Sequence, residues 1–92
     1  MLSKAEIRKI VSCAKKYNIE TVYLFGSSLE DNRYYNDIDI AVSGIAPDKF
    51  FKFYSELSRK LSKPIDIIDL SDKTPFSKVI QIEGKIIYGK LA

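Results

Sequence analysis

The sequence predicts an α+β fold: a single mixed β-sheet of about four strands, with helices packed mainly on one face. Three observations carry this. Apolar residues recur at helical spacing in three separate stretches. Four short runs rich in Ile, Val, Tyr and Phe read as strands. The two kinds of segment alternate, apart from one strand pair joined by a polar turn, in the order αβ(turn)βαβαβ. The chain has 92 residues, 46% of them hydrophobic and 29% charged, which suits one domain over residues 1–92 with one modest core.

Ser3 and Glu6 have capping-box spacing, and Ile7, Ile10, Val11, Ala14 and Tyr17 follow on one helical face to about Lys16. Asn18 suits a stop. Thr21-Val22-Tyr23-Leu24-Phe25 is β-branched and aromatic, a buried strand, and Gly26-Ser27-Ser28 breaks it. Leu29 to Asn36 is a polar connection holding Tyr34 and Tyr35. Asp37-Ile38-Asp39-Ile40-Ala41-Val42 alternates with period two, a second strand. Pro47 suits a helix start, and Phe50, Phe53, Tyr54, Leu57 and Leu61 mark an apolar face that ends before Pro64. Ile65 to Leu70 is a third strand and Pro75 to Ile82 a short third helix. Gly84 sits where a helix C-terminal glycine belongs. Lys85-Ile86-Ile87-Tyr88 is the last strand.

Composition narrows the chemistry. There is no histidine and a single cysteine, Cys13. Catalytic His dyads, Ser-His-Asp triads, zinc fingers and an internal disulfide are therefore excluded. Catalysis must run on carboxylates, hydroxyls, amines or a bound metal. Cys13 falls near the apolar face of the first helix and reads as core filler. No apolar run approaches the roughly 20 residues of a membrane span, and the start lacks a signal-peptide core, so a cytoplasmic place away from membranes is expected. The net charge is +3 with scattered lysines. Basic and aromatic residues are not interleaved on one strand face, so direct nucleic-acid binding is not expected. The aromatic set Phe50, Phe51, Phe53 and Tyr54 is wider than one core stripe needs, which hints at a dimer or partner surface through Phe51.

Three features carry chemistry. On a strand, Asp37 and Asp39 share one face while Ile38, Ile40 and Val42 fill the other. Two such carboxylates repel unless a cation lies between them, and hard oxygen ligands suit Mg²⁺ or Mn²⁺. Asp66 alternates against Ile65 and Ile67. If its strand neighbours that of Asp37, three acids converge, enough for a two-metal site with ions about 3.5–4 Å apart. Gly26-Ser27 directly follows a strand; Gly26 admits a ligand to the backbone and Ser27 adds a hydroxyl, an arrangement that grips phosphate. A phosphate turn beside a metal-binding strand pair is what transfer from a nucleoside triphosphate needs.

Leu24-Phe25-Gly26-Ser27, Asn36-Asp37-Ile38-Asp39-Ile40-Ala41-Val42, Ile65-Asp66-Ile67-Ile68-Asp69-Leu70 and Ile82-Glu83-Gly84-Lys85-Ile86-Ile87-Tyr88-Gly89 together resemble the minimal nucleotidyltransferases, the small branch of the DNA polymerase beta-like superfamily. The resemblance spans about residues 20 to 89. It implies a palm-like nucleotidyltransferase fold and MgATP as substrate, with Mn²⁺ as the other candidate ion. It also implies transfer of AMP to a hydroxyl, typically a tyrosine of a helical HEPN-type toxin that the family member silences as antitoxin. On this resemblance Asp37, Asp39 and Asp66 are metal ligands, with Asp66 also the general base, and Gly26 and Ser27 are the triphosphate grip. Asp69 receives no role. The connection from Ser28 to Asn36 is one residue shorter than in many relatives, and Ser28 stands where they carry Arg; Arg33 is a substitute cation. The rival reading is an antitoxin that neutralises its partner by contact, with little catalysis.

Overall fold

Ser3 accepts a hydrogen bond from the Glu6 N–H (3.2 Å) and opens α1, Lys4–Lys16. Lys15 and Lys16 occupy its last turn, where the helix dipole favours cations. The computed structural model describes residues 2–26, 37–71 and 73–89. After α1, Asn18 takes φ of 55°, a left-handed conformation that Asn tolerates better than most residues. The chain then enters β1, Thr21–Leu24, and β2, Ile38–Ser43. The α2 helix, Pro47–Lys60, has proline in its first turn, where no backbone donor is missed. β3, Ile65–Asp69, follows, then α3, Pro75–Glu83, and β4, Lys85–Gly89.

The four strands form one sheet in the order β3-β2-β1-β4. β1 runs antiparallel to both β2 and β4, whereas β2 and β3 are parallel. A parallel pair needs a long crossover, and α2 supplies it. α1 and α2 cover one face, where Ile10, Ala14, Phe53 and Leu57 meet Val22, Leu24, Ile40 and Val42. α3 lies on the other face, where Ile80 packs with Tyr23, Ala41 and Leu70. Two of the three helices thus share a face, as the alternation in β2 predicts. Central β1 is buried along its whole length, which is why it reads as a continuous apolar run rather than an alternation. The radius of gyration is 12.1 Å, as expected for a compact chain of this length.

Three details differ from the sequence expectation. β1 ends at Leu24 and β2 begins at Ile38, so Phe25 and Asp37 stand just outside their strands. Gly84 closes α3 with its N–H on the Ile80 carbonyl (2.7 Å), yet its backbone is extended (φ −70°, ψ 158°) and not left-handed. Glycine is required for space instead. A Cβ there would stand 2.5 Å from the Ile80 carbonyl oxygen and 3.1 Å from that of Leu24.

The third is a charge inside the helix pair that the apolar stripe of α2 did not announce. Glu56 lies between Phe53 and Leu57 on the α2 stripe and is only 7% exposed. It accepts hydrogen bonds from Lys16 Nζ (2.7 Å), Lys60 Nζ (2.9 Å), the Tyr17 hydroxyl (2.9 Å) and Cys13 Sγ (3.2 Å). These donors, Lys16 foremost, hold its carboxyl well below the usual carboxylate range. Burial, reinforced by Glu56, pushes the Cys13 thiol up to about 11, so it is a neutral and inert core group.

Candidate active site

The acids are placed by strand alternation. In β2, Ile38, Ile40 and Val42 enter the core under α1 and α2, so Asp39 shares the opposite face with Ala41. In β3, Ile65 and Ile67 pack toward that same core, and Asp66 shares the opposite face with Ile68. The parallel register pairs Asp39 directly with Asp66. The two carboxylates therefore spring from one sheet face on strands about 4.8 Å apart. Asp39 is half-buried and Asp66 exposed. Like charges at neighbouring register positions repel, so the pair is a place where a cation is favoured. Asp37, exposed, stands two residues before Asp39 at the entrance to β2.

Gly26 comes against this pair from β1. The Phe25 N–H donates to the Asp39 carbonyl (3.2 Å), which carries the end of β1 past Asp39. Gly26 then turns with φ of +58°. A Cβ at this position would stand 2.7 Å from Asp39 Oδ2. Only glycine offers both this conformation and this closeness. Gly26 thus lies close against the Asp39 carboxylate.

The structure brings Gly26, Asp39 and Asp66 together and leaves Asp37 beside them. Ser27 lies outside the described residues, as do Ser28, Arg33, Tyr34 and Tyr35. Among the described residues, no three Asp, Glu, Cys or His side chains are grouped closely enough to form a full metal-ligand set. Asp69 ends β3, and its Oδ1 accepts from the Ser71 N–H (2.9 Å), a turn-closing contact away from the acid pair. Sequence reasoning missed the neighbourhood of Phe25, which meets Phe76 of α3 edge-on with ring centroids 6.0 Å apart. Its signal was present in the three-residue spacing of Phe76, Val79 and Ile82, which a helix with one core face leaves outside. No described helix is long and apolar enough to cross a membrane.

The fold has known relatives. No curated protein matches the sequence. Among solved structures, the chain is similar to the MntA–HepT toxin–antitoxin complex, at 21% identity with a TM-score of 0.73, covering 96% of this chain and 74% of that one. It is similar to a toxin–antitoxin structure with AMP-PNP, at 24% identity and a TM-score of 0.75, over 91% of this chain and 73% of that one. It is also similar to the tri-AMPylated Shewanella oneidensis HEPN toxin in complex with MNT antitoxin, at 22% identity and a TM-score of 0.73, over 97% and 74% of the two chains. At these identities the likeness is one of fold. The family model described as polymerase beta, nucleotidyltransferase matches residues 8–91, nearly the whole chain. This match places the chain, with its mixed four-stranded sheet, in the polymerase beta nucleotidyltransferase family.

Proposed function

We propose that the chain transfers a nucleoside monophosphate, AMP from ATP, to a hydroxyl of a helical HEPN-type partner, a tyrosine above all, and so acts as an antitoxin. The observation that carries this reading is the contact of Gly26 with Asp39, whose register partner is Asp66. The AMP-PNP complex and the tri-AMPylated toxin complex among its structural neighbours support the nucleotide and the acceptor class.

The donor set suits a hard divalent ion, Mg²⁺ or Mn²⁺: carboxylate oxygens on two rigid neighbouring strands, with a third acid at the entrance. Asp39 and Asp66 would hold it, with Asp37 beside the pair as the third acid that the family resemblance implies. Bound there, such an ion neutralises charge on the transferring phosphate and eases ionisation of the acceptor hydroxyl. Gly26 and Ser27 hold the β and γ phosphates through backbone N–H groups and the Ser27 hydroxyl. Asp66, on the far side of Asp39 from Gly26, takes the acceptor proton. The hydroxyl oxygen forms a bond to the α-phosphorus as the bond to the bridging oxygen breaks, and pyrophosphate leaves.

The test is label transfer to a purified helical toxin partner, using ATP radiolabelled at the α or at the γ phosphate. The expected result is label on the partner from the α position only, reduced on the order of a hundredfold or more by Asp39→Asn. Label from the γ position, or none from either, contradicts the reading. A contact-only antitoxin is the second reading. The exposure of Phe76 (51%), Val79 (46%) and Ile82 (82%) along α3 favours it, since a patch of large apolar side chains left in water marks an interaction surface. Neutralisation that survives Asp37→Asn/Asp39→Asn would establish contact as sufficient.

A further inference from the structure

A pocket of about 270 Å³ opens between the end of β1 and one side of α3. Phe25 and Phe76 line it as an edge-to-face pair, their planes at 83°. Val79 and Ile80 continue the apolar wall. Gly26 also lines it, so the residue that lies against Asp39 forms part of the pocket wall. Phe76 is 51% and Val79 46% exposed, an apolar surface that the fold itself does not cover. Among the described residues that line the pocket, Glu83 alone is charged. A carboxylate accepts hydrogen bonds and cannot donate them, so the pocket does not suit a phosphate. Its volume is below the roughly 300–1,000 Å³ of sites for drug-sized ligands. It suits one flat ring system.

We propose that this pocket receives the aromatic base of the nucleoside triphosphate, with Phe76 and Val79 as its positioning side chains. The proposal rests on the nucleotidyltransferase reading above. Position decides between the two rings that a reaction of this class brings together, that of the nucleotide and that of the acceptor. Asp66 is on β3, on one side of Asp39, and Gly26 follows β1, on the other. The acceptor hydroxyl is taken at Asp66. The pocket is on the Gly26 side, so the ring that reaches it is the one attached to the phosphates. Stacking on aromatic and apolar walls tolerates any base, because every base has a π-face.

The test is calorimetric titration of Mg-ATP and of Mg-tripolyphosphate into the full chain and its Phe76→Ala and Val79→Ser variants. Both side chains are half-exposed, so the core is untouched by either change. The wild-type chain binds ATP more tightly than tripolyphosphate. Each variant weakens ATP about tenfold and leaves tripolyphosphate unchanged. An ATP affinity unchanged in both variants overturns the pocket while the phosphate site stands, and so does an equal loss for both ligands. A wild-type chain that binds neither ligand overturns the nucleotide reading and the pocket with it.

Discussion

Gly26 is the residue on which the site turns. Its φ of +58° strains any side chain, and a would-be Cβ 2.7 Å from Asp39 Oδ2 would push that carboxylate aside. Gly26→Ala is expected to cost about 1–2 kcal/mol from the backbone conformation alone. It also displaces the Asp39 carboxylate, so Mg-ATP affinity should fall by more than the fold does. Thermal melting and titration of one preparation check this, and wild-type values for both would show that Gly26 and Asp39 are not in contact. Glu56 makes a second residue-scale prediction. The folded state holds its carboxyl below the ordinary value of 4.5, so between the two values the unfolded chain binds more protons than the folded one. The stabilisation is present above about pH 4.5 and is lost as the pH falls below it. Glu56→Gln should flatten that acid limb in urea melts taken across the pH range; an unchanged limb would mean that other carboxylates carry it.

At the scale of elements, the acids owe their meeting to the parallel pairing of β2 with β3. The side-chain period of a strand is two, so a slip of one residue would bury Asp66 in the core and bring Ile65 or Ile67 to the face of Asp39. The Ile and Val residues between the acids guard against this, because each slip would expose them. α3 depends on its start. The Thr74 hydroxyl accepts from the Ser77 N–H (3.2 Å), and the Ser77 hydroxyl accepts from the Thr74 N–H (2.8 Å). This reciprocal cap holds the helix that carries Phe76 and Val79. Thr74→Ala is expected to lower stability by about 1 kcal/mol, read from a shift in the urea midpoint with an unchanged slope. No shift would place the stability of α3 in its Ile80 contacts instead. The cap escaped the sequence reading because Ser77, rather than Glu or Gln, stands at its third position. The Ser3 cap of α1 has the usual Glu6 and was plain.

For the whole molecule, what could be read early was what local periodicity encodes. The alternation around Asp37, Asp39 and Asp66, the helical stripes of α1 and α2, and the order of elements all depend on neighbours in sequence. What could not be read depends on long-range packing. The pairing of Asp39 with Asp66 rather than with a neighbouring residue is set by how α2 seats β3 against β2. Gly84 ends its helix as expected, but part of the reason that it must be glycine, the nearby Leu24 carbonyl, comes from a strand sixty residues away in the chain. Nothing local to α2 marks Glu56 as buried, because its partners Cys13, Lys16 and Tyr17 come from α1 and its C-terminal cap.

On the proposed function, Asp39 and Asp66 jointly hold a divalent ion beside Gly26. The most direct measurement is electron paramagnetic resonance of free Mn²⁺ titrated with the chain and a non-hydrolysable ATP analogue. The free-ion signal should be lost with the wild-type chain, and Asp39→Asn and Asp66→Asn should each weaken binding by about tenfold or more. An Asp66→Asn variant that binds Mn²⁺ as tightly as the wild type would contradict it.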